Sequence, residues 1–417
     1  MRKFVVALLA LSVASAAFAG DGSIVPTQGR KIQDRYIVVL DSTAVDKARV
    51  PAVASEMALA QAGRLHFVYK DALAGFAIEL PEGRARALAR DPRVAWIEED
   101  SVIQGVATQN SAPWGLDRID QRNLPLSGTY TYNFDGTGIH AYVIDSGIRS
   151  SHVEFGGRAT KDLDIVGDGQ NGNDCHGHGT HVAGTLGGST YGVAKNVRLH
   201  IVRVLNCSNQ GSVSGAVAGI DWVTANRILP AVANVSIQAS ASSTLDTAVN
   251  NSVNAGIFYA VAAGNLNANA CNTSPARAAN AYTVGATTST DTRSSFSNFG
   301  TCLKIFAPGS SITSAGHTGD TATAVMNGTS MAAPHVAGAA VLALQENPGL
   351  NPAGVATTLT NRATTGVLTS IGTGSPNRLL YIPTTTGPCG APYSTCSVNS
   401  DCCSNSCSMK SLPPKCA

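Results

Sequence analysis

IHAYVID (139–145) is a nearly unbroken apolar run that stops on a carboxylate. A strand that is apolar on both faces is buried on both faces, and such strands belong to parallel sheets covered by helices on each side. The run is one of a series: RLHIVRVL (198–205), ANVSI (233–237), IFYAVAAG (257–264), AYTVGAT (281–287) and KIFAPG (304–309) repeat its character. SGAVAGIDWVTAN (214–226) and STLDTAVNNSVNAG (243–256) have helical composition and fall between them. Buried runs alternating with helices predict an α/β unit, a doubly wound and mainly parallel sheet. In such sheets the chemistry gathers beyond the carboxyl ends of the strands. Asp145 ends its run, and the turn Ala262-Ala263-Gly264-Asn265 ends another.

Outward from this unit the chain changes character. Before it, RYIVVLD (35–41), AGFAIELP (74–81) and VAWIEED (94–100) read as strands, with helical composition at 52–63 and 83–90. That order predicts a small α+β sandwich over 35–104. Earlier still, Arg2 and Lys3 precede an apolar run and the small-x-small triplet Ala17-Phe18-Ala19, the pattern of a secretory signal peptide over 1–19. After the α/β unit, taken as 107–385, the Thr- and Pro-rich PTTTGP (383–388) leads into a cysteine-rich piece over 389–416. Export places the chain in an oxidising compartment, where its 10 cysteines favour disulfides. The net charge of +2 gives no electrostatic reason to expect a nucleic-acid partner.

DCHGHGTHVAGT (174–185) sets His176, His178 and His181 within six residues. Imidazoles at this spacing suit a zinc ion, and equally one of them suits a serine nucleophile as its general base. NGTSMAAPHVAGAAVLALQ (327–345) supplies that serine: a turn, then a long apolar helix starting at or near Ser330. Helix-start serines are commonly caps. They also lie beside free N–H groups that stabilise an oxyanion. Asp145 is placed to orient an imidazole, and Asn265 carries an amide donor. A metal centre would leave Ser330 and Asn265 without a role.

YVIDSGI, HGTHVAGT, AVAAGN and GTSMAAPHVAG follow one another in the order Asp, His, Asn, Ser. In this the chain resembles the subtilisin-like serine protease family, within it the proteinase K branch, and there the aqualysin-type secreted bacterial enzymes. The resemblance extends over most of 107–382, including WGLDRIDQRNLPLS (114–127) and GSPNRLLY (374–381). It implies a secreted serine endopeptidase working through an acyl-enzyme intermediate. His178 would be the general base, Asp145 its orienting partner and Ser330 the nucleophile, with Asn265 in the oxyanion hole. His181 would be a packed structural residue and His176 an exposed one. The 35–104 segment resembles the family's inhibitor-type propeptide, so the chain would be a self-processed zymogen maturing near Ala107. Its partners would be peptide or protein substrates and its own propeptide, with no nucleic acid or membrane, and the enzyme a monomer. A rival class is a catalytically weak secreted binding protein that uses the cleft and the cysteine-rich piece for attachment.

The resemblance also implies disulfides Cys175–Cys207 and Cys271–Cys302, each worth roughly 3 kcal/mol by loop closure. The C-terminal piece resembles a cystine knot with pairs Cys389–Cys403, Cys396–Cys407 and Cys402–Cys416. Substrate would lie along Gly211 and Ser236-Ile237-Gln238, over a primary-pocket floor of Ala262, Ala263 and Gly264, and take apolar or aromatic side chains there. The family's glycine-rich cleft edges are replaced by Asn209-Gln210-Gly211 and Ser236-Ile237-Gln238-Ala239, which should narrow subsites unless both glutamines face solvent. For structural calcium, Asp117, Asp120, Gln121 and Ser127 are a candidate oxygen set. A second family site carries Lys304 in place of its carboxylate, so its ion should be lost, with the ammonium bonding to the carbonyls of Ala279 and Ala281 instead.

Overall fold

The computed structural model describes residues 22–27, 31–102, 107–383 and the backbone of 407–408 and 415–416. These fall into two compact units: the described residues on either side of Gly105–Thr386 in sequence are grouped as one, and Gly105–Thr386 forms the other. The signal segment, the 103–106 junction and the proposed C-terminal cysteine pairings lie outside the described residues.

The first unit is an antiparallel sheet in the order β2-β3-β1-β4, built from β1 (Lys31–Leu40), β2 (Arg64–Tyr69), β3 (Gly75–Glu79) and β4 (Val94–Ser101). Helices α1 (Val50–Ala60) and α2 (Glu82–Leu88) cover one face. Val53, Met57 and Leu88 from the helices meet Tyr36, Phe76, Ile78 and Ile97 from the sheet in one buried cluster. All three expected strands form. β2 is the addition, a largely exposed strand whose RLHFVY offers little of the apolar signal that marks the others.

The second unit opens with a short ribbon, β5 (Ala107–Asn110) against β6 (Thr129–Tyr132), enclosing α3 (Trp114–Ile119). Its body is a nine-stranded sheet made of β7 (His140–Asp145), β8 (Ala159–Asp164), β9 (Arg198–Arg203), β10 (Ala231–Val235), β12 (Ile257–Ala262), β14 (Tyr282–Thr287), β15 (Ile305–Pro308), β18 (Thr364–Thr365) and β19 (Arg378–Leu379). The order is β18-β19-β15-β14-β12-β10-β7-β9-β8, and all neighbours are parallel except β18 with β19. Two small pairs flank it: β11 (Ala239–Ser240) with β13 (Thr273–Ser274), and β16 (Ile312–Ala315) with β17 (Thr323–Met326). Every apolar run of the series becomes a strand, and β7, β10 and β12 are adjacent, so their carboxyl ends open on the same side.

Helices α4 (His178–Gly187), α5 (Val213–Asn226), α6 (Ser243–Asn254), α7 (Thr329–Glu346) and α8 (Pro352–Arg362) complete the unit. α7 is buried from Thr329 to Leu344, which is why its sequence is apolar all round rather than on one stripe. Small residues let it pass close to its neighbours: a Cβ on Gly338 would come within 2.5 Å of Val193 Cβ. Disulfides Cys175–Cys207 and Cys271–Cys302 are both formed, as the resemblance implies. No helix among the described residues is long and apolar enough to cross a membrane.

Candidate active site

Asp145 is the last residue of β7 and is fully buried. Its Oδ1 accepts from the Ser146 N–H at 2.7 Å and lies 2.7 Å from His178 Nδ1. His178 is the first residue of α4, and Gly177 just before it takes φ +105°, a left-handed turn that swings the imidazole back to the strand end. Burial alone would push the imidazole's pKa down. Asp145, by charge and by hydrogen bond, and Asp174 by charge outweigh burial, and the result is a pKa above the ordinary value.

Asp174 and Ser146 hold this arrangement in place. Asp174 Oδ2 accepts the N–H and the hydroxyl of Thr180, its Oδ1 accepts the N–H groups of His176 and Gly177, and Ser146 Oγ accepts the Gly179 N–H. Helix-start donors that would otherwise be orphaned are thereby satisfied. The sequence reading missed both residues. An Asp ahead of a helix start was the available signal.

The three imidazoles do not converge. His178 Nδ1 is engaged by Asp145, and His181 Nε2 bonds the Ile312 carbonyl at 2.9 Å. His181 is buried in α4, as expected of a structural residue, and burial pushes it down to about 4. His176, expected to be exposed, is partly covered, and its Nδ1 is buried without a partner. Among the described residues one His/Cys/Asp/Glu cluster has ligand-like spacing, Asp168 with Cys175 and Cys207, and the disulfide uses both sulfurs.

Ser330 is the second residue of α7. Its Oγ donates to the Ser236 carbonyl at 3.3 Å, while Ser236 Oγ donates to the Ser330 carbonyl at 2.9 Å. No hydrogen bond joins Ser330 to His178 in this rotamer. The Ser330 backbone N–H has no acceptor among the described residues. Asn265 follows β12 by three residues, and its Oδ1 accepts both the N–H and the hydroxyl of Thr329, each at 2.9 Å. That leaves Nδ2 as the free end of the amide.

His178, Ser330 and Asn265 share a cleft of about 720 Å³, together with Gly211, Ser236, Ile237, Gln238 and Ala239. Ala262, Ala263 and Gly264 were expected as its floor; all three are buried. The two glutamines differ. Gln210 is exposed, and its side chain makes no hydrogen bond among the described residues. Gln238 is exposed too, but its side chain is engaged: its Oε1 accepts the Asn265 N–H at 2.9 Å and sits against Gly264.

At the candidate cation set, Asp117 accepts from the Ser127 N–H, Ser127 Oγ and the Gly128 N–H. Gln121 Oε1 also accepts the Ser127 N–H. Asp120 Oδ2 accepts the Thr131 N–H at 2.6 Å, but its Oδ1 is buried without a partner. Burial, with a smaller push from Asp117, raises Asp120 to about 6. Paired carboxylates with an orphaned oxygen suit a hard cation. Lys304 differs from the expectation. Its backbone N–H bonds the Thr283 carbonyl, but among the described residues its ammonium makes no hydrogen bond, to Ala279, Ala281 or otherwise. The side chain is only half-covered, and solvating a lysine head costs less than aiming it at carbonyls.

Comparison with known proteins places this geometry. Residues 136–378 match the subtilase family model, and 35–104 match the peptidase inhibitor I9 model. The chain is similar to an extracellular serine proteinase of Thermus sp. (strain Rt41A), 56% identical over 323 residues, covering 78% of this chain and 79% of that protein. It is 48% identical over 380 residues to alkaline serine exoprotease A of Vibrio alginolyticus, 87% of this chain and 71% of that protein. A crystal structure of a cold-adapted subtilisin-like serine proteinase superposes with a TM-score of 0.64 at 53% identity, covering 65% of this chain and 98% of that one.

Proposed function

The chain belongs to the subtilase family, a serine peptidase carrying an I9 inhibitor segment, and from that premise we propose that it is a secreted endopeptidase made as a self-processed zymogen. The observation that carries the reading is the 2.7 Å Asp145–His178 pair at the rim of a cleft that also holds Ser330 and Asn265. Rotation about the Ser330 Cα–Cβ bond turns Oγ from the Ser236 carbonyl toward His178 Nε2; such bonds are often open before substrate binds. Oγ then adds to the scissile carbonyl carbon as its proton passes to Nε2. The carbonyl electron pair moves to oxygen, which takes hydrogen bonds from the Ser330 N–H and Asn265 Nδ2. Asp145 stabilises the imidazolium. Collapse expels the amine, which takes the proton from His178, and leaves the acyl group on Ser330; water repeats the sequence and releases it.

Apolar or aromatic side chains are accepted at P1, the residue preceding the scissile bond, on the support of the apolar cleft walls at Ile237, Ala239 and Leu245. The 35–104 segment acts as intramolecular inhibitor, and the mature enzyme is an extracellular monomer. Asp117, Asp120, Gln121 and Ser127 hold a structural calcium ion, whose support is the orphaned Asp120 oxygen. The test of the whole reading is Ser330→Ala, expressed in a protease-free host. It should be inactive on casein and retain its propeptide covalently. Normal maturation of this variant would sink both the nucleophile and the self-processing.

A further inference from the structure

Gln238 stands three residues past the end of β10, and Gly264 and Asn265 stand just past the end of β12. The Gln238 carboxamide bridges them. Its Oε1 accepts the Asn265 N–H at 2.9 Å, and a Cβ on Gly264 would come within 2.6 Å of that oxygen and 3.0 Å of the amide carbon. The side chain is therefore anchored across the space between the two strand ends, while its Nε2 has no acceptor among the described residues.

A carbonyl attacked by Ser330 and stabilised by Asn265 Nδ2 has to sit between those two groups. The family resemblance implies a primary pocket floored by 262–264 beside 236–238, so the P1 side chain would enter the gap between these segments, the space the carboxamide occupies. We propose that Gln238 grades substrates by P1 size. Small side chains fit beside the anchored carboxamide. Large apolar and aromatic ones enter only by displacing it from Asn265. Displacement breaks one hydrogen bond, and that sets the scale of the penalty. The proposal rests on the peptidase reading above and adds the residue that ranks its substrates.

The test uses mature, active-site-titrated enzyme and two tetrapeptide anilides that differ only in P1, alanine or phenylalanine. The readout is the Phe/Ala ratio of kcat/KM. Gln238→Gly removes the obstacle and should raise the ratio about tenfold, about 1.4 kcal/mol. Gln238→Leu keeps the bulk but cannot accept the Asn265 N–H, and should give an intermediate ratio. A native ratio in Gln238→Gly overturns the proposal. A native ratio in Gln238→Leu overturns the anchoring by Asn265. If the native enzyme cleaves neither peptide, or Ser330→Ala cleaves both as the native enzyme does, the peptidase reading itself fails and the proposal falls with it.

Discussion

Asn265 is held by Thr329, the residue immediately before Ser330: both the N–H and the hydroxyl of Thr329 donate to Asn265 Oδ1 at 2.9 Å. The same hydroxyl oxygen accepts the Gly264 N–H at 3.1 Å. An amide whose oxygen is engaged twice presents its nitrogen on the other side, so Thr329 fixes which end of Asn265 faces the cleft. Thr329→Val is nearly isosteric but removes the hydroxyl from both bonds. Its kcat should fall by about tenfold with KM little changed, since a mis-set oxyanion donor is missed mainly in the transition state. Thr329→Ser restores the hydroxyl and should return kcat close to native. Equal losses in both variants would mean that Thr329 matters only for packing.

Removing the donor itself is the stronger change. Asn265→Ala should lower kcat by about 100-fold or more while KM moves little. Steady-state kinetics on one peptide substrate suffice, and an unchanged kcat takes Asn265 out of the mechanism.

The pH dependence follows from His178. The base must be neutral to accept the Ser330 proton, and Asp145 and Asp174 together lift its pKa above the ordinary value despite burial. Activity should therefore be lost on the acid side as pH falls through a midpoint above about 6.5. Asp145→Asn removes the largest stabiliser of the imidazolium and leaves burial less opposed. The acid limb of kcat/KM should move to lower pH, and kcat should drop by about 10⁴-fold. An acid limb that stays put in Asp145→Asn would assign it to another group.

The parts legible in the sequence share one physical basis. Strands buried on both faces, such as β7 and β12, are apolar along almost their whole length, so their ends, and with them Asp145 and Asn265, are located by composition alone. β8 escaped notice because it lies at the edge of the sheet and half of ATKDLD faces solvent. Asp174 and Thr329 escaped because their importance is a hydrogen-bonding one, set by the path of a folded turn. Gln238 and Lys304 show the same limit from the other side. The chain tells that a side chain replaces a glycine or a carboxylate, but its direction depends on which partners lie within reach: Asn265 offers Gln238 a free N–H, and Lys304 finds solvent. Lys304→Ala should accordingly change stability by less than about 0.5 kcal/mol, as a surface substitution does.

Asp120 keeps one carboxylate oxygen unsatisfied. Its Oδ1 is buried without a partner beside Asp117, and an unpaired buried carboxylate oxygen is costly unless something outside the chain satisfies it. Calcium would do so, with Asp117, Gln121 and Ser127 as neighbours, and its binding to the folded state alone would stabilise by mass action. Thermal unfolding of the Ser330→Ala protein, which cannot digest itself, should therefore shift upward with millimolar calcium and downward with chelator. Asp120→Asn in that background should flatten this response by removing the ionised ligand. A Tm that ignores calcium in the parent protein would remove the ion from the site. A calcium response that survives intact in Asp120→Asn would move it elsewhere in the molecule.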